Sequence, residues 1–129
     1  MSFVTTVNCM DGRAQLPVIN YLRERYGVPF VDSVTEAGPV RFLSEPGESA
    51  EKASIVRRVD VSVTGHGSSV IAVAAHADCT GNPIDEATHK QQLDASVRYI
   101  AESFPATTVL GLWLASDWSV AEVLSVGGA

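Results

Sequence analysis

One stretch decides most of what this chain can fold into: SSVIAVAA, residues 68–75, a near-continuous apolar run followed at once by HADC. A strand that is apolar on both faces must be covered on both faces, which marks a central strand of a parallel sheet with helices on either side. The flanking sequence supplies the other layers. FVTTVN (3–8) is rich in β-branched residues and reads as a strand. Pro17 suits the first turn of a helix whose Leu16, Ile19, Leu22 and Tyr26 recur at helical spacing and which Gly27 stops. VPFVDSV (28–34) reads as a second strand, and 35–48, with two glycines and two prolines, as a loop. Ser49 is placed to cap a helix with Ile55, Val56, Val59 and Val63 on one face, although VDVSV within it also alternates like a strand. Asp85 is placed to cap a longer helix striped by Leu93, Val97, Ile100 and Phe104. TTVLGLWLA (107–115) is a further buried strand, and WSVAEVLSV (118–126) fits a last strand or a short helix. The expected architecture is α/β, a mainly parallel central sheet of four to five strands flanked by helices, in one domain over 1–129.

Charge and composition remove several function classes. Nine basic residues stand against 15 acidic ones, a net charge of −6, with no basic patch, so nucleic acid is not an expected partner. No apolar stretch reaches the roughly 20 residues that span a bilayer. The start, MSFVTTVNC, lacks the basic region and long apolar segment of a secretory signal, so a cytoplasmic location is expected. There the two cysteines are expected to stay reduced, which opens a metal or nucleophile reading for them.

Polar chemistry concentrates at two places. VNCMDGR puts Cys9, Asp11 and Arg13 at alternate positions just past the first strand, and HADC puts His76 and Cys79 just past the most apolar one. Ligands of such sheets gather at the carboxyl ends of the strands. If the two strands are neighbours, two thiolates and an imidazole converge as zinc ligands. A closed structural zinc takes four Cys or His ligands, whereas this chain has only two cysteines, and His66 and His89 lack matching spacing. Three protein ligands leave the fourth position to water or to a carboxylate, the layout of a catalytic zinc, which lowers the pKa of bound water from about 15.7 towards about 7. Asp11 is then the neighbour that accepts the proton of a zinc-bound hydroxide and orients it. Arg13 is the cation that clamps Asp11 and keeps it ionised.

CMDGR and HADC resemble the Cys-x-Asp-x-Arg and His-x-x-Cys signatures of the β-class carbonic anhydrases, in the same order and after two apolar strands. TEAGPV is similar to the Asn-Ala-Gly-containing loop of that family, and VLGLWL to its last core strand. The resemblance implies a Zn2+ cofactor on Cys9, His76 and Cys79, an Asp11–Arg13 catalytic dyad, and reversible hydration of carbon dioxide to bicarbonate. It also implies a homodimer or a multiple of dimers, and an Asp11 that in some relatives swings onto the metal. Two departures stand out: Thr35 and Glu36 replace the Arg-Asn pair ahead of Ala-Gly, and Thr80 stands where a glycine commonly follows the second cysteine. Glu36 near the entrance leaves open a CO2-like substrate such as carbonyl sulfide or carbon disulfide, and a non-catalytic zinc protein is a further alternative. Val40, Phe42 and Ile84 are the expected apolar wall.

Other readings are plainer. Taken singly, either cysteine fits a small buried hydrophobe, and Asp78 a loop-bonding residue. His66 is expected in a solvated loop and His89 on a helix surface, while Trp113 and Trp118 are expected in the core or an interface. A Cys-based phosphatase needs more room between thiolate and arginine than Cys9 and Arg13 leave, and a thiol oxidoreductase needs a Cys-x-x-Cys that the chain lacks.

Overall fold

The computed structural model describes residues 1–127. Strands β1 (Phe3–Cys9), β2 (Phe30–Glu36), β3 (Val70–His76), β4 (Thr108–Leu114) and β5 (Val120–Gly127) form one sheet in the order β2-β1-β3-β4-β5. The first four are mutually parallel, and β5 returns antiparallel to β4. The helices are α1 (Gly12–Tyr26), α2 (Pro39–Leu43), α3 (Ala50–Asp60) and α4 (Glu86–Ser103).

Every residue of β3 is buried, as its composition requires. Its alternation divides the core. Val70, Ala72 and Ala74 pack with Ala14, Val18 and Leu22 of α1, while Ile71, Val73 and Ala75 pack with residues of α2, α3 and α4 such as Leu43, Ile55, Leu93 and Val97. The chain runs from β1 through α1 to β2 on one side, then crosses by α2 and α3 to β3 on the other side of β1. The carboxyl ends of β1 and β3 therefore flank a topological switch point, where such sheets hold their ligands.

Several local expectations hold. The Ser49 hydroxyl accepts from the Lys52 amide, Asp85 accepts from the Thr88 amide, and Gly27 closes α1 in the left-handed conformation with φ 61°. Others are corrected. The segment 35–48 contains the short helix α2, begun by Pro39 directly after Gly38. Val61–Gly65, where VDVSV reads two ways, extends α3 as one π-helical turn that leaves Val63 half-buried against the core. The closing segment is the strand β5. Helix α1 begins at Gly12, because the Asp11 carboxylate caps it, so Pro17 lies inside the helix. Its buried stripe is Ala14, Val18 and Leu22, and Leu16 is 67% exposed. The cap sets the helix phase, and that phase turns Leu16 away from the sheet.

The loops after β2 and β3 meet backbone to backbone. At Gly38 (φ +62°) an added Cβ would lie 2.9 Å from the Asn82 Cβ, and at Gly81 2.8 Å from the Ala37 carbonyl carbon. Glycine at both positions lets the two loops close over the end of β1.

The corrected α1 face is tested by paired truncations followed in urea unfolding. Leu22→Ala is expected to cost about 2–5 kcal/mol, the usual range for a buried leucine. Leu16→Ala should stay within about 0.5 kcal/mol.

Candidate metal centre

Cys9 is the last residue of β1 and His76 the last of β3; Cys79 lies in the turn after β3, whose Asn82 amide bonds to its carbonyl at 3.2 Å. All three are at most 5% exposed. The two Sγ atoms are 3.8 Å apart, and the ligand atoms of the three residues all lie within 4.8 Å of one another. The sequence thus placed all three correctly with respect to the strand ends, and the structure brings them together.

The His76 ring is held at one nitrogen and unpartnered at the other. Its Nδ1 is 2.6 Å from the Ala77 carbonyl oxygen, an acceptor that requires the proton on Nδ1. Its Nε2 is buried and has no hydrogen-bond partner among the described residues. A buried nitrogen left without a partner is costly, and this one faces two sulfurs. Carboxylate charge is near as well, with Asp11 Oδ2 at 4.0 Å from Nε2. Burial opposes protonation of His76, but Cys9, the Ala77 carbonyl and Asp11 outweigh it and push its pKa up. Burial also acts against a Cys9 thiolate. The His76 imidazole and the amides of Asp11 and Gly38 overcome it and bring Cys9 down to about 7. Burial and the adjacent Cys9 sulfur push Cys79 up to about 11. Two soft sulfur donors and one imidazole within 4.8 Å of one another are a donor set that suits Zn2+.

Asp11 and Arg13 stand beside this cluster. Arg13 Nη2 donates to Asp11 Oδ2 at 2.7 Å, and Arg13 Nε to Oδ1 at 3.1 Å and Oδ2 at 3.3 Å. The Arg13 amide adds a capping bond to Oδ1 at 2.9 Å. These bonds hold the Asp11 pKa down at about 2 and raise that of Arg13. Held this way, the carboxylate faces the cluster while its position is fixed from the other side. Arg13 also stands 4.9 Å over the Trp118 ring and reaches Asp78 Oδ2 at 3.5 Å.

A cavity of about 300 Å³ opens beside Cys9, lined by Met10, Asp11, Ala37, Thr80 and Gly81. Val40, Phe42 and Ile84 do not line it. Val40 is fully buried in the core under α2, Phe42 lies under the Arg41 guanidinium, and Ile84 is exposed on the loop before α4. Glu36 pairs in register with Cys9 at the end of β2, but its side chain is not part of the cavity wall. His89 is buried, edge-on to Trp113 at 5.2 Å, instead of lying on the surface of α4. His66 is exposed, as expected, yet it is bonded to Asp32 at 2.6 Å and stacked on Phe3. Asp78 adopts φ 55° and points its side chain out towards Arg13.

Two supporting side chains escaped the sequence reading. Gln15 Nε2 donates to the carbonyls of Cys9 at 2.8 Å and Asp11 at 2.7 Å, and Asn8 Nδ2 donates to Gln15 Oε1 and to the Cys9 carbonyl, both at 3.0 Å. These amides hold the Cys9 carbonyl at the end of β1. The signal was available: Gln15 lies one helical turn after the capping Asp11, and Asn8 alternates onto the α1 face of β1.

These features define an α/β protein with a Cys-His-Cys metal-ligand cluster at the switch point of a parallel sheet, and with an Asp–Arg pair beside it. The family described as "Putative carbonic anhydrase" matches residues 1–124, and the chain belongs to that carbonic anhydrase family. Its fold is that of the β-carbonic anhydrases. Isoform I from Trichomonas vaginalis superposes with a TM-score of 0.63 at 19% identity, over 98% of this chain and 83% of the other. One of two tetrameric β-carbonic anhydrases from the filamentous ascomycete Sordaria macrospora gives 0.55 at 12% identity, over 98% and 82%. The β-carbonic anhydrase CafA of Aspergillus fumigatus gives 0.50 at 11% identity, over 95% and 74%. No curated protein matches the sequence significantly.

The Asp11–Arg13 pair makes a signed prediction. A carboxylate depressed to about 2 adds stability above the unfolded value of about 3.9, and that stability is lost as pH falls through about 2. Carboxyl ¹³C NMR should find the Asp11 midpoint near 2 in the parent chain. In Arg13→Ala it should rise towards about 3.9; an unchanged midpoint would show that Arg13 does not hold it.

Proposed function

We propose that the protein is a zinc-dependent carbonic anhydrase that reversibly hydrates carbon dioxide to bicarbonate, with Zn2+ held by Cys9, His76 and Cys79. The observation that carries this reading is the unpartnered Nε2 of His76, buried and facing two cysteine sulfurs in one ligand-sized cluster. Bound there, zinc supplies a Lewis acid that makes water a nucleophile near neutral pH.

The chain's own residues supply the rest. Hydration joins a water oxygen to the carbon of CO2 and releases one proton. Asp11, with a pKa of about 2, is too weak a base to keep that proton at neutral pH. Its role is to accept a hydrogen bond through Oδ2 and so orient the attacking oxygen's lone pair, while the proton leaves to solvent. Arg13 keeps the carboxylate ionised and turned to the cluster. The cavity beside Cys9 is walled mostly by apolar side chains and backbone from Met10, Ala37 and Gly81, which admits a small neutral molecule. Glu36 lies outside that wall, at the end of β2 beside Cys9, and comparing turnover of CO2 with carbonyl sulfide and carbon disulfide separates the two substrate readings. The working unit we infer is a cytoplasmic homodimer. Met10 on the cavity wall at 64% exposure and Leu16 on α1 at 67% leave apolar surface that a second copy would cover.

Stopped-flow hydration with a pH indicator tests the activity. The zinc-loaded parent should turn over CO2 and lose activity on chelation and in Cys9→Ser. Asp11→Ala should lower kcat by about 100-fold or more. Hydration that survives both zinc removal and Cys9→Ser would overturn the proposal. Light scattering should give twice the chain mass for the assembly, and a monomer at micromolar concentration would contradict the dimer.

A further inference from the structure

The hairpin that joins β4 to β5 contains a residue that its backbone does not favour. Ala115 and Ser119 close the loop with a 3.0 Å bond, the Trp118 amide bonds back to the Ala115 carbonyl at 2.8 Å, and Trp118 takes φ 65°. A loop of this kind ends in a left-handed residue, the place for glycine or asparagine. A bulky residue there is an outlier whose strain must be held by its surroundings. Asp117 braces the turn by accepting from the Ser119 amide at 3.0 Å and hydroxyl at 2.6 Å, which accounts for the turn but not for the indole.

The indole contacts do account for it. The Arg13 guanidinium lies over the Trp118 ring at 4.9 Å from its centroid, and the His76 ring lies 5.4 Å away, tilted by 40°. Trp118 is half-buried and also packs on the apolar layer beneath α1. One side chain thus touches both the cation that clamps Asp11 and the imidazole of the metal cluster. Arg13 is otherwise the loosest member of the site, with 51% of its side chain exposed. Its bonds to Asp11 come from a flexible stem, and its other partner, Asp78, is at 3.5 Å with an 86% exposed side chain.

We propose that Trp118 is a positioning residue: its ring fixes the Arg13 guanidinium in the plane that grips Asp11 and closes that side of His76 to solvent. The left-handed turn is retained because it is the conformation that delivers the ring to this place. The inference rests on reading Asp11 and Arg13 as part of the working site. A cation–π contact of this exposure corresponds to a change between about 2- and 30-fold when it is lost.

The test follows the Arg13 Nε–H signal by NMR in the full chain, with and without zinc, together with kcat/KM for CO2. Trp118→Leu keeps apolar bulk and removes the aromatic face. Trp118→Gly removes the ring and relieves the backbone, so a ringless variant folds even if leucine does not. Both are expected to speed solvent exchange of the Arg13 Nε–H and to lower kcat/KM, each by about 2- to 30-fold, whereas Trp118→Phe stays close to the parent. Parent-like exchange in the ringless variants would overturn the proposal. So would equal acceleration in the phenylalanine and leucine variants, because bulk or turn shape would then be what matters. The exchange measurement needs no turnover. A zinc-loaded parent that hydrates no CO2 yet shows the exchange pattern would therefore reject the enzymatic reading alone.

Discussion

The structure depends on two parallel strands that end at the same level and side by side. β1 and β3 pair directly, with Thr5 opposite Ile71 and Val7 opposite Val73, so Cys9 and His76 end their strands side by side. That shared end brings Cys9 to Cys79, 70 positions away in sequence, and to His76. The pairing in turn depends on the apolar character of β3, which forces helices onto both faces and so prevents either strand from lying at an edge. The hydrophobic effect that builds the sheet also brings together three polar side chains, each at most 5% exposed.

Around that point the chain arranges charge so that each group depends on the next. Burial raises the Cys9 pKa, the nearby His76 ring and the amides of Asp11 and Gly38 bring it down to about 7, and the Ala77 carbonyl orients that ring. The Asp11 carboxylate is turned towards the same space and held there by Arg13 and by its duty as the cap of α1. A single residue therefore starts a helix, fixes the phase of its buried face and points a carboxylate at the cluster. Helix register and site geometry are coupled through Asp11, and Gln15 tightens that coupling by tying the Cys9 and Asp11 carbonyls together.

Much of this was legible in the sequence, for identifiable reasons. Buried parallel strands announce themselves by composition, and caps such as Ser49 and Asp85 by residue type, so the order of elements could be read directly. The meeting of Cys9, His76 and Cys79 was legible because each stands at or just past the end of an apolar strand. What was missed depended on phase and on contacts distant in sequence. Leu16 stands six residues before Leu22 and so lies off the i, i+4 row Ala14, Val18 and Leu22 that faces the sheet. The segment 35–48 looked like a loop because its glycines and prolines outweighed the short helix between them, whose stability comes from packing Val40 and Leu43 into the core. His89 looked exposed by helical position but faces Trp113; Trp118, expected in the core or an interface, packs on the core, and its left-handed backbone is what nothing local reveals.

The central claim is that Cys9, His76 and Cys79 form one zinc site. Zinc-edge X-ray absorption on the reconstituted, reduced chain tests it most directly. The account predicts one zinc per chain with two sulfurs at about 2.3 Å and lighter donors, one of them imidazole, at about 2.0–2.1 Å. A chain that takes up no zinc, or a shell of nitrogen and oxygen without sulfur, would contradict it.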